Sequence, residues 1–210
     1  MDFSLVDNRT IICGKTNSGK SVLLKHILKS EASRFHKIFV VSPTEPVNSF
    51  YADIVPEKNI YDGFSEKWLS SLLAKMKELK KAEPDKIRRV LIIFDDCGAE
   101  EAFYKSPALK ALVCWGRHVG LSCVFLLQYI YQIPPVVRSN ASYVCVGQMN
   151  QQATDLLADE FSMCSAYSRK EFIQVYHKNS QDYKFFVIKC NSTKNKHDPL
   201  EVFGTIRGEV

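Results

Sequence analysis

The sequence predicts an α/β fold in which a mostly parallel central sheet carries helices on both faces. Buried strands are predicted for the strongly apolar, β-branched runs, which lie at 9–13, 37–42, 90–95, 122–128 and 143–146. Apolar residues recur at helical spacing between these runs, at 21–29, 65–81, 106–119 and 151–161. This alternation favours a parallel sheet, because parallel neighbours need crossover connections, which helices usually supply.

The length and composition predict one soluble domain over residues 1–210. A chain of 210 residues with 46% hydrophobic and 24% charged residues can bury one full core. We expect the core at about 9–161 and a C-terminal extension at 162–210, in which the run 183–189 forms an edge strand. No apolar run reaches the length of a membrane span, and the N-terminus lacks a signal peptide. We therefore expect no membrane partner and an intracellular location.

The cysteines and the net charge limit the possible chemistry. No C-x-x-C pair occurs, and most cysteines lie in apolar runs, which predicts buried thiols in a reducing compartment and not disulfides or zinc ligands. The seven are Cys13, Cys97, Cys114, Cys123, Cys145, Cys164 and Cys190. A net charge of +5 is compatible with a polyanionic partner but does not demonstrate one.

The first motif is Gly-Lys-Thr-Asn-Ser-Gly-Lys-Ser at residues 14–21, which fits the phosphate-binding pattern G-x-x-x-x-G-K-[ST]. It stands between a predicted strand and a predicted helix, as such a loop requires. The backbone N–H groups at the positive end of the helix dipole can surround phosphate oxygens. Lys20 would reach the β and γ phosphates and Ser21 would bind Mg²⁺. The predicted nucleotide-binding residues are Gly14, Lys15, Thr16, Asn17, Ser18, Gly19, Lys20, Ser21 and Val22.

The second motif is a pair of carboxylates at the end of the strand predicted for 90–95. Hydrolysis needs an acid that helps to hold Mg²⁺ and a group that orients the attacking water. Asp95 is predicted to bind the metal, and Asp96 to polarise the water. Glu100 and Glu101, just beyond, are alternative candidates for the second role.

A glutamine ends the strand predicted for 122–128. In additional-strand P-loop ATPases, the strand that follows the acidic motif lies between the two motif strands. Gln128 is therefore predicted to face the γ-phosphate and to sense its presence.

With these motifs the chain resembles the FtsK–HerA superfamily of P-loop NTPases, and within it the genome-packaging ATPases of poxviruses, giant DNA viruses and virophages. The resemblance spans the phosphate loop to about residue 161. It rests on the phosphate loop, the Asp95-Asp96 pair, Gly116-Arg117-His118, Leu127-Gln128 and the segment Ile-Pro-Pro-Val-Val-Arg-Ser-Asn at 133–140.

The resemblance implies an additional-strand P-loop ATPase with ATP and Mg²⁺ as cofactors. Such a motor moves double-stranded DNA into a preformed capsid, and it works as a ring of five or six identical subunits. A capsid vertex protein is a further possible partner, and the implied location is the viral factory in the host cytoplasm, or the virion. Superfamily members often have Glu where this chain has Asp96.

Ring motors take a cationic finger from the neighbouring subunit to stabilise the transition state. Arg138 and Arg117 are the two candidates.

Two other functions remain open. Asp95-Asp96-Cys97-Gly98 fits the D-x-x-G motif of GTPases, and Asn195-Lys196-His197-Asp198 fits their N-K-x-D motif. A small-molecule or nucleoside kinase also suits the size of the chain, but neither an arginine-rich lid nor an acceptor pocket is evident.

Two basic stretches are equal candidates for contact with DNA. The first precedes the acidic motif and contains Lys75, Lys77, Lys80, Lys81, Lys86, Arg88 and Arg89. The second lies in the C-terminal extension and contains Arg169, Lys170, Lys178, Lys184, Lys194 and Lys196. A long irregular connection at 43–63 is expected near the site or at a subunit contact.

Overall fold

The computed structural model describes residues 3–86, 88–162, 167–190 and 203–207. Its eight strands form one sheet in the order β3-β2-β4-β5-β1-β6-β7-β8. They are β1 Arg9–Cys13, β2 Lys37–Val41, β3 Ile60–Tyr61, β4 Val90–Asp95, β5 Leu121–Leu127, β6 Tyr143–Val146, β7 Lys184–Lys189 and β8 Phe203–Arg207. The first six are parallel, while β7 pairs antiparallel with both β6 and β8. The predicted α/β fold with a mostly parallel sheet is confirmed.

Helices cover both faces of the sheet, as the sequence predicts. They are α1 Lys20–Glu31, α2 Glu45–Asn48, α3 Glu66–Ala82, α4 Glu101–Lys105, α5 Pro107–Trp115, α6 Pro135–Ser139, α7 Gln151–Phe161 and α8 Arg169–Asn179. One core layer joins α3, α5, α7 and α8 to the sheet, and the other joins α1 to the opposite face. Alternate residues of β1 show the division, because Ile11 packs in the first layer and Ile12 in the second.

The C-terminal extension differs from the prediction in two ways. The run predicted as an edge strand at 183–189 begins at Lys184 and lies inside the sheet, because β8 pairs along its outer side. Helix α8 was not predicted, since only Phe172 and Tyr176 of its eleven residues are fully buried and the apolar periodicity is weak. Its start is marked by a capping box between Ser168 and Glu171.

The helix predicted for 106–119 is shorter in the structure. Ser106 caps α5 by accepting a hydrogen bond from the Leu109 N–H, and the helix ends at Trp115. A 3₁₀ helix, Gly116–Val119, follows, and Gly120 with φ of 81° then turns the chain into β5. A left-handed residue at this position suits glycine and ends the helical region.

The thiol prediction holds for most of the described cysteines. Cys13, Cys97, Cys123 and Cys145 are buried, Cys190 is half-buried, and Cys114 is exposed at the end of α5. The first four and Cys114 are free thiols, and Cys164 lies outside the described residues.

Among the described residues, no helix is long and apolar enough to cross a membrane.

Candidate functional site

The strand order brings the predicted motifs to one edge of the sheet. Strand β5 lies between β4, which ends at Asp95, and β1, which leads into the phosphate loop. The register pairs Cys13 with Leu127 and Asp95 with Leu126, so all three parallel strands end at the same level. This is the additional-strand arrangement that the sequence predicts, and it puts Gln128 between the loop and the acidic pair.

The loop has the backbone geometry that its glycines permit. Gly19 has a φ of 88° and Asn17 a φ of 60°, both in the left-handed region. A Cβ at Gly14 would stand 2.7 Å from the Ser18 hydroxyl oxygen, so a larger residue there would require the Ser18 side chain to move. The first helical bond runs from the Leu23 N–H to the Gly19 carbonyl, so the preceding amides point out of the helix end toward an anion.

Two polar groups of the loop are placed to meet a bound phosphate. The Lys20 ammonium is buried and donates to the carbonyls of Gly14 at 2.9 Å and Lys15 at 3.0 Å. The buried Ser18 hydroxyl has no hydrogen-bond partner within the described part of the chain. A buried polar atom without a partner calls for a ligand or water, and a phosphate oxygen would satisfy it.

Asp95 is held by a tyrosine that sequence analysis missed. The fully buried Tyr51 donates its phenol O–H to Asp95 Oδ2 at 2.8 Å. Burial raises the pKa of Asp95 to about 6, the Tyr51 hydrogen bond opposes that rise, and the neighbouring Asp96 charge adds to it. Burial next to Asp95 likewise raises the pKa of Tyr51 well above its ordinary value, so the phenol stays a donor.

The long connection at 43–63 supplies this tyrosine and lies beside the site, which was one of its two predicted places. The buried Glu45 of α2 accepts hydrogen bonds from the N–H groups of Tyr51, at 2.7 Å, and Phe50, at 3.0 Å. These bonds close a short loop that directs the Tyr51 ring at Asp95. The only sequence signal was a long proline-containing connection after a buried strand.

One cavity of about 270 Å³ brings together seven of the predicted site residues, namely Thr16, Asn17, Lys20, Ser21, Asp95, Asp96 and Gln128. Its outer wall comes from the long connection, at Thr44, Glu45, Asn48 and Phe50. We refer to it as the acidic cavity, after its two aspartates. The Ser21 hydroxyl and the Asp95 carboxylate are oxygen donors of the kind that Mg²⁺ takes alongside phosphates. The donor set therefore fits the predicted metal.

Of the candidates for water activation, Asp96 is the one that lines the acidic cavity. It adopts a φ of 54°, a left-handed conformation that aspartate tolerates better than most residues. Glu101 is exposed and hydrogen-bonded to Lys105, and Glu100 is half-buried; neither contributes to the described lining.

Neither candidate finger lies in the cavity of its own chain. Arg138 is largely buried, and its Nε donates to both carboxylate oxygens of Glu160, at 2.9 and 2.7 Å. Its Nη1 donates to the Ile133 carbonyl at 2.5 Å. Arg117 precedes β5 and is therefore about 20 Å from the loop, at the amino edge of the sheet. It is exposed and forms no ion pair with a described carboxylate.

The first basic stretch contributes to a cleft at this amino edge, which we call the basic cleft. Its polar lining is Lys80, Lys86, Arg88, Arg117, His118 and Asp7. Glu83 pairs with Arg88 at 2.8 Å and with Lys86 at 3.6 Å. The cleft still has a net positive charge, because its lysines and arginines outnumber Asp7 and Glu83. The Asn195-Asp198 motif of the GTPase alternative, with Lys194 and Lys196 of the second basic stretch, lies outside the described residues.

Comparison with known proteins finds viral relatives. The family described as poxvirus A32 protein matches residues 3–198. Protein 015R of frog virus 3, which is uncharacterised, is 27% identical over 95% of this chain and 62% of its own length. The DNA packaging protein OPG160 of vaccinia virus is 25% identical over 65% of this chain and 52% of its own length. The chain thus spans about half to three-fifths of the length of these relatives.

Solved structures show the same fold. B204, the DNA-packaging ATPase from Sulfolobus turreted icosahedral virus, superposes with a TM-score of 0.66 at 18% identity, over 98% of this chain and all of its own. The genome packaging NTPase B204 from Sulfolobus turreted icosahedral virus 2, in complex with AMPPCP, gives a TM-score of 0.63 at 19% identity, over 97% of this chain and 98% of its own.

Proposed function

The chain belongs to the poxvirus A32 protein family, and on that premise we propose that it is an ATP-hydrolysing motor that moves double-stranded DNA into a viral capsid. The observation that carries the proposal is the acidic cavity, where the phosphate loop, two aspartates and a glutamine meet. A loop alone binds nucleotide, whereas this combination also has the parts needed for hydrolysis. Viral relatives described as packaging proteins support DNA as the substrate and the infected cell or virion as its location.

Each group of residues in the site has a separate role in hydrolysis. The loop amides and the Lys20 ammonium hold the β and γ phosphates and neutralise charge as the bond to the γ phosphorus breaks. Ser21 and Asp95 would hold Mg²⁺, which supplies Lewis-acid stabilisation of the phosphate oxygens when bound. Asp96 accepts the proton of the attacking water, and Gln128 donates its amide to the γ-phosphate. Because water is the nucleophile, no covalent protein intermediate forms.

The kinase and GTPase alternatives have less support. The acidic cavity alone does not separate hydrolysis from transfer to an acceptor, because a carboxylate can act as the base for either reaction. The matched family and relatives are packaging proteins and uncharacterised viral proteins, and none is described as a GTPase. Faster hydrolysis of GTP than of ATP would favour the GTPase alternative.

We further propose that the motor assembles as a homo-oligomeric ring, and that Arg117 is the better candidate for the finger. A finger must be free to reach the neighbour's phosphates, and Arg138 would first have to leave Glu160. Arg117→Ala should keep nucleotide binding and lower turnover by at least about a thousandfold. Mixed with wild-type subunits it should inhibit dominantly; a variant that hydrolyses at the wild-type rate would place the finger elsewhere.

The basic cleft is the surface that we expect to contact the DNA backbone. Neutralising Lys80 and Lys86 together, as Lys80→Gln with Lys86→Gln, should weaken DNA binding about equally for all sequences. The slope of log affinity against log salt should fall by roughly two. Hydrolysis without DNA should be unchanged, because both lysines lie at the edge opposite the phosphate loop of their own subunit and Arg117, the proposed finger, is left in place. Binding measured by fluorescence anisotropy over a salt series provides the check.

Two lysines outside the cleft provide the controls for this experiment. Lys110→Gln, on the exposed side of α5, should leave both binding and its salt dependence unchanged. Lys170→Gln tests the second basic stretch at the start of α8. A loss of binding from Lys170→Gln, with none from the cleft variant, would move the DNA contact to the C-terminal extension.

A further inference from the structure

A second cavity, of about 320 Å³, also borders the phosphate loop. The loop forms one wall, from Lys15 to Ser18, and the end of β6 forms another, at Gly147 and Gln148. The third wall is the turn between α8 and β7, with Ser180, Asp182, Tyr183 and Lys184. Thr16 and Asn17 also line the acidic cavity, so the two cavities meet at the loop. We refer to this second one as the side cavity.

The turn that closes the side cavity has a strained backbone. Asp182 and Tyr183 have φ values of 55° and 59°, and the Lys184 N–H donates to the Gln181 carbonyl at 3.0 Å. Six non-glycine residues of the described chain have positive φ, and Tyr183 is the one with an aromatic side chain. The other five are aspartate, asparagine or serine, whose short polar side chains tolerate this region better. The turn thus bears a conformational cost at Tyr183 that glycine would avoid.

In this turn conformation the ring of Tyr183 lies directly beside the nucleotide loop. A Cβ added to Gly19 would lie 3.6 Å from Tyr183 Cδ1, which is van der Waals distance. The side chain of Tyr183 nevertheless remains 67% exposed, so a face of the ring is free for another group. An exposed aromatic ring held in this way at a cavity wall is suited to stacking rather than to core packing.

We propose that the side cavity binds the nucleobase of the nucleotide and that Tyr183 is the ring on which that base stacks. The proposal rests on the proposed nucleotide site, because the loop fixes where the phosphates lie. The acidic cavity receives the γ-phosphate end, so the base must leave the loop in another direction. The side cavity opens from the same loop and carries an exposed aromatic ring on which a base can stack.

Equilibrium binding of Mg²⁺-ATP and of Mg²⁺-tripolyphosphate tests the proposal, since tripolyphosphate has no base. Tyr183→Ala should weaken ATP binding by roughly ten- to a hundredfold, the range that loss of one base–aromatic stack implies. Tripolyphosphate binding should be unchanged. Tyr183→Phe and Tyr183→Trp keep a ring and should bind ATP within about threefold of wild type.

Tyr183→Gly separates the ring from the backbone strain. Glycine adopts the left-handed conformation without cost, so this variant should unfold at a higher temperature than Tyr183→Ala. It should bind ATP as weakly as Tyr183→Ala does. If Tyr183→Gly restores ATP affinity, the backbone conformation of the turn and not the aromatic ring determines that affinity, and the proposal fails.

Phe50→Ala is the matched variant in the wall of the acidic cavity. It should leave the ratio of ATP to tripolyphosphate affinity unchanged. A fall in that ratio for Phe50→Ala, with none for Tyr183→Ala, would place the base beside Phe50 and overturn the proposal. If the wild-type protein binds neither ATP nor tripolyphosphate, the nucleotide site itself is refuted, so the two failures are distinguishable.

Discussion

Lys20→Ala is expected to lower ATP turnover by at least a hundredfold and to weaken nucleotide binding. The ammonium is buried at the loop, where its charge acts on phosphate oxygens with little screening by water. Removal of one pre-positioned donor to transition-state charge typically costs a factor of roughly 10² to 10³. Steady-state phosphate release and equilibrium ATP binding measure the two effects.

The matched control is Lys29→Ala, which removes an exposed lysine from the last turn of the same helix. It should keep wild-type turnover. The thermal transition of Lys20→Ala should remain cooperative, so that loss of activity cannot be ascribed to unfolding. Hydrolysis at the wild-type rate by Lys20→Ala would show that residues 14–21 are not the catalytic loop.

Asp95→Asn is expected to abolish hydrolysis while stabilising the metal-free protein at neutral pH. Burial raises the pKa of this carboxyl from 3.8 to about 6, which corresponds to a penalty of up to roughly 3 kcal/mol for the buried charge. Asparagine removes the charge and keeps an oxygen that accepts the Tyr51 hydrogen bond. The free energy of unfolding at pH 7.5, measured with a chelator present, should rise by about 1–3 kcal/mol.

The pH dependence follows from the direction of the shift. An acid with a higher pKa in the folded state binds its proton more tightly there, so the wild-type protein loses stability as the pH rises from about 4 to 6. The advantage of Asp95→Asn should therefore fall to about half near pH 5 and disappear below about pH 4. Asp96→Asn should also lower turnover, but its side chain is only half-buried and the gain in stability should be much smaller. An equal gain at pH 5 and pH 7.5 would contradict this explanation.

The sequence predicted the central sheet and the acidic cavity well because both depend on local patterns. Strands that are apolar on both faces are recognisable in a single sequence, and the position of Gln128 follows once β5 is placed between β4 and β1. Asp95 ends β4, whereas Lys20 and Ser21 begin α1 after the loop that follows β1, so the three lie at the same edge of the sheet. These residues needed no knowledge of distant contacts.

Tyr51 and Tyr183 could not be found in this way, because their roles depend on contacts across the fold. Tyr51 is 44 residues from Asp95 in the chain, and the Glu45 bonds that direct its ring have no periodic pattern. The special feature of Tyr183 is its backbone conformation, for which the sequence has no glycine or asparagine as a signal. For Arg138 the sequence was misleading in the other direction. Its position after a strand suggested a free finger, but its guanidinium forms an ion pair with Glu160.

The measurement that tests the motor most directly is steady-state hydrolysis of ATP and of GTP by the wild-type protein, with and without double-stranded DNA. The proposed function predicts ATP turnover that increases when DNA of any sequence is added and that loses this stimulation at high salt. GTP-preferring hydrolysis that DNA does not affect would contradict it, as would turnover that requires a small phosphate acceptor.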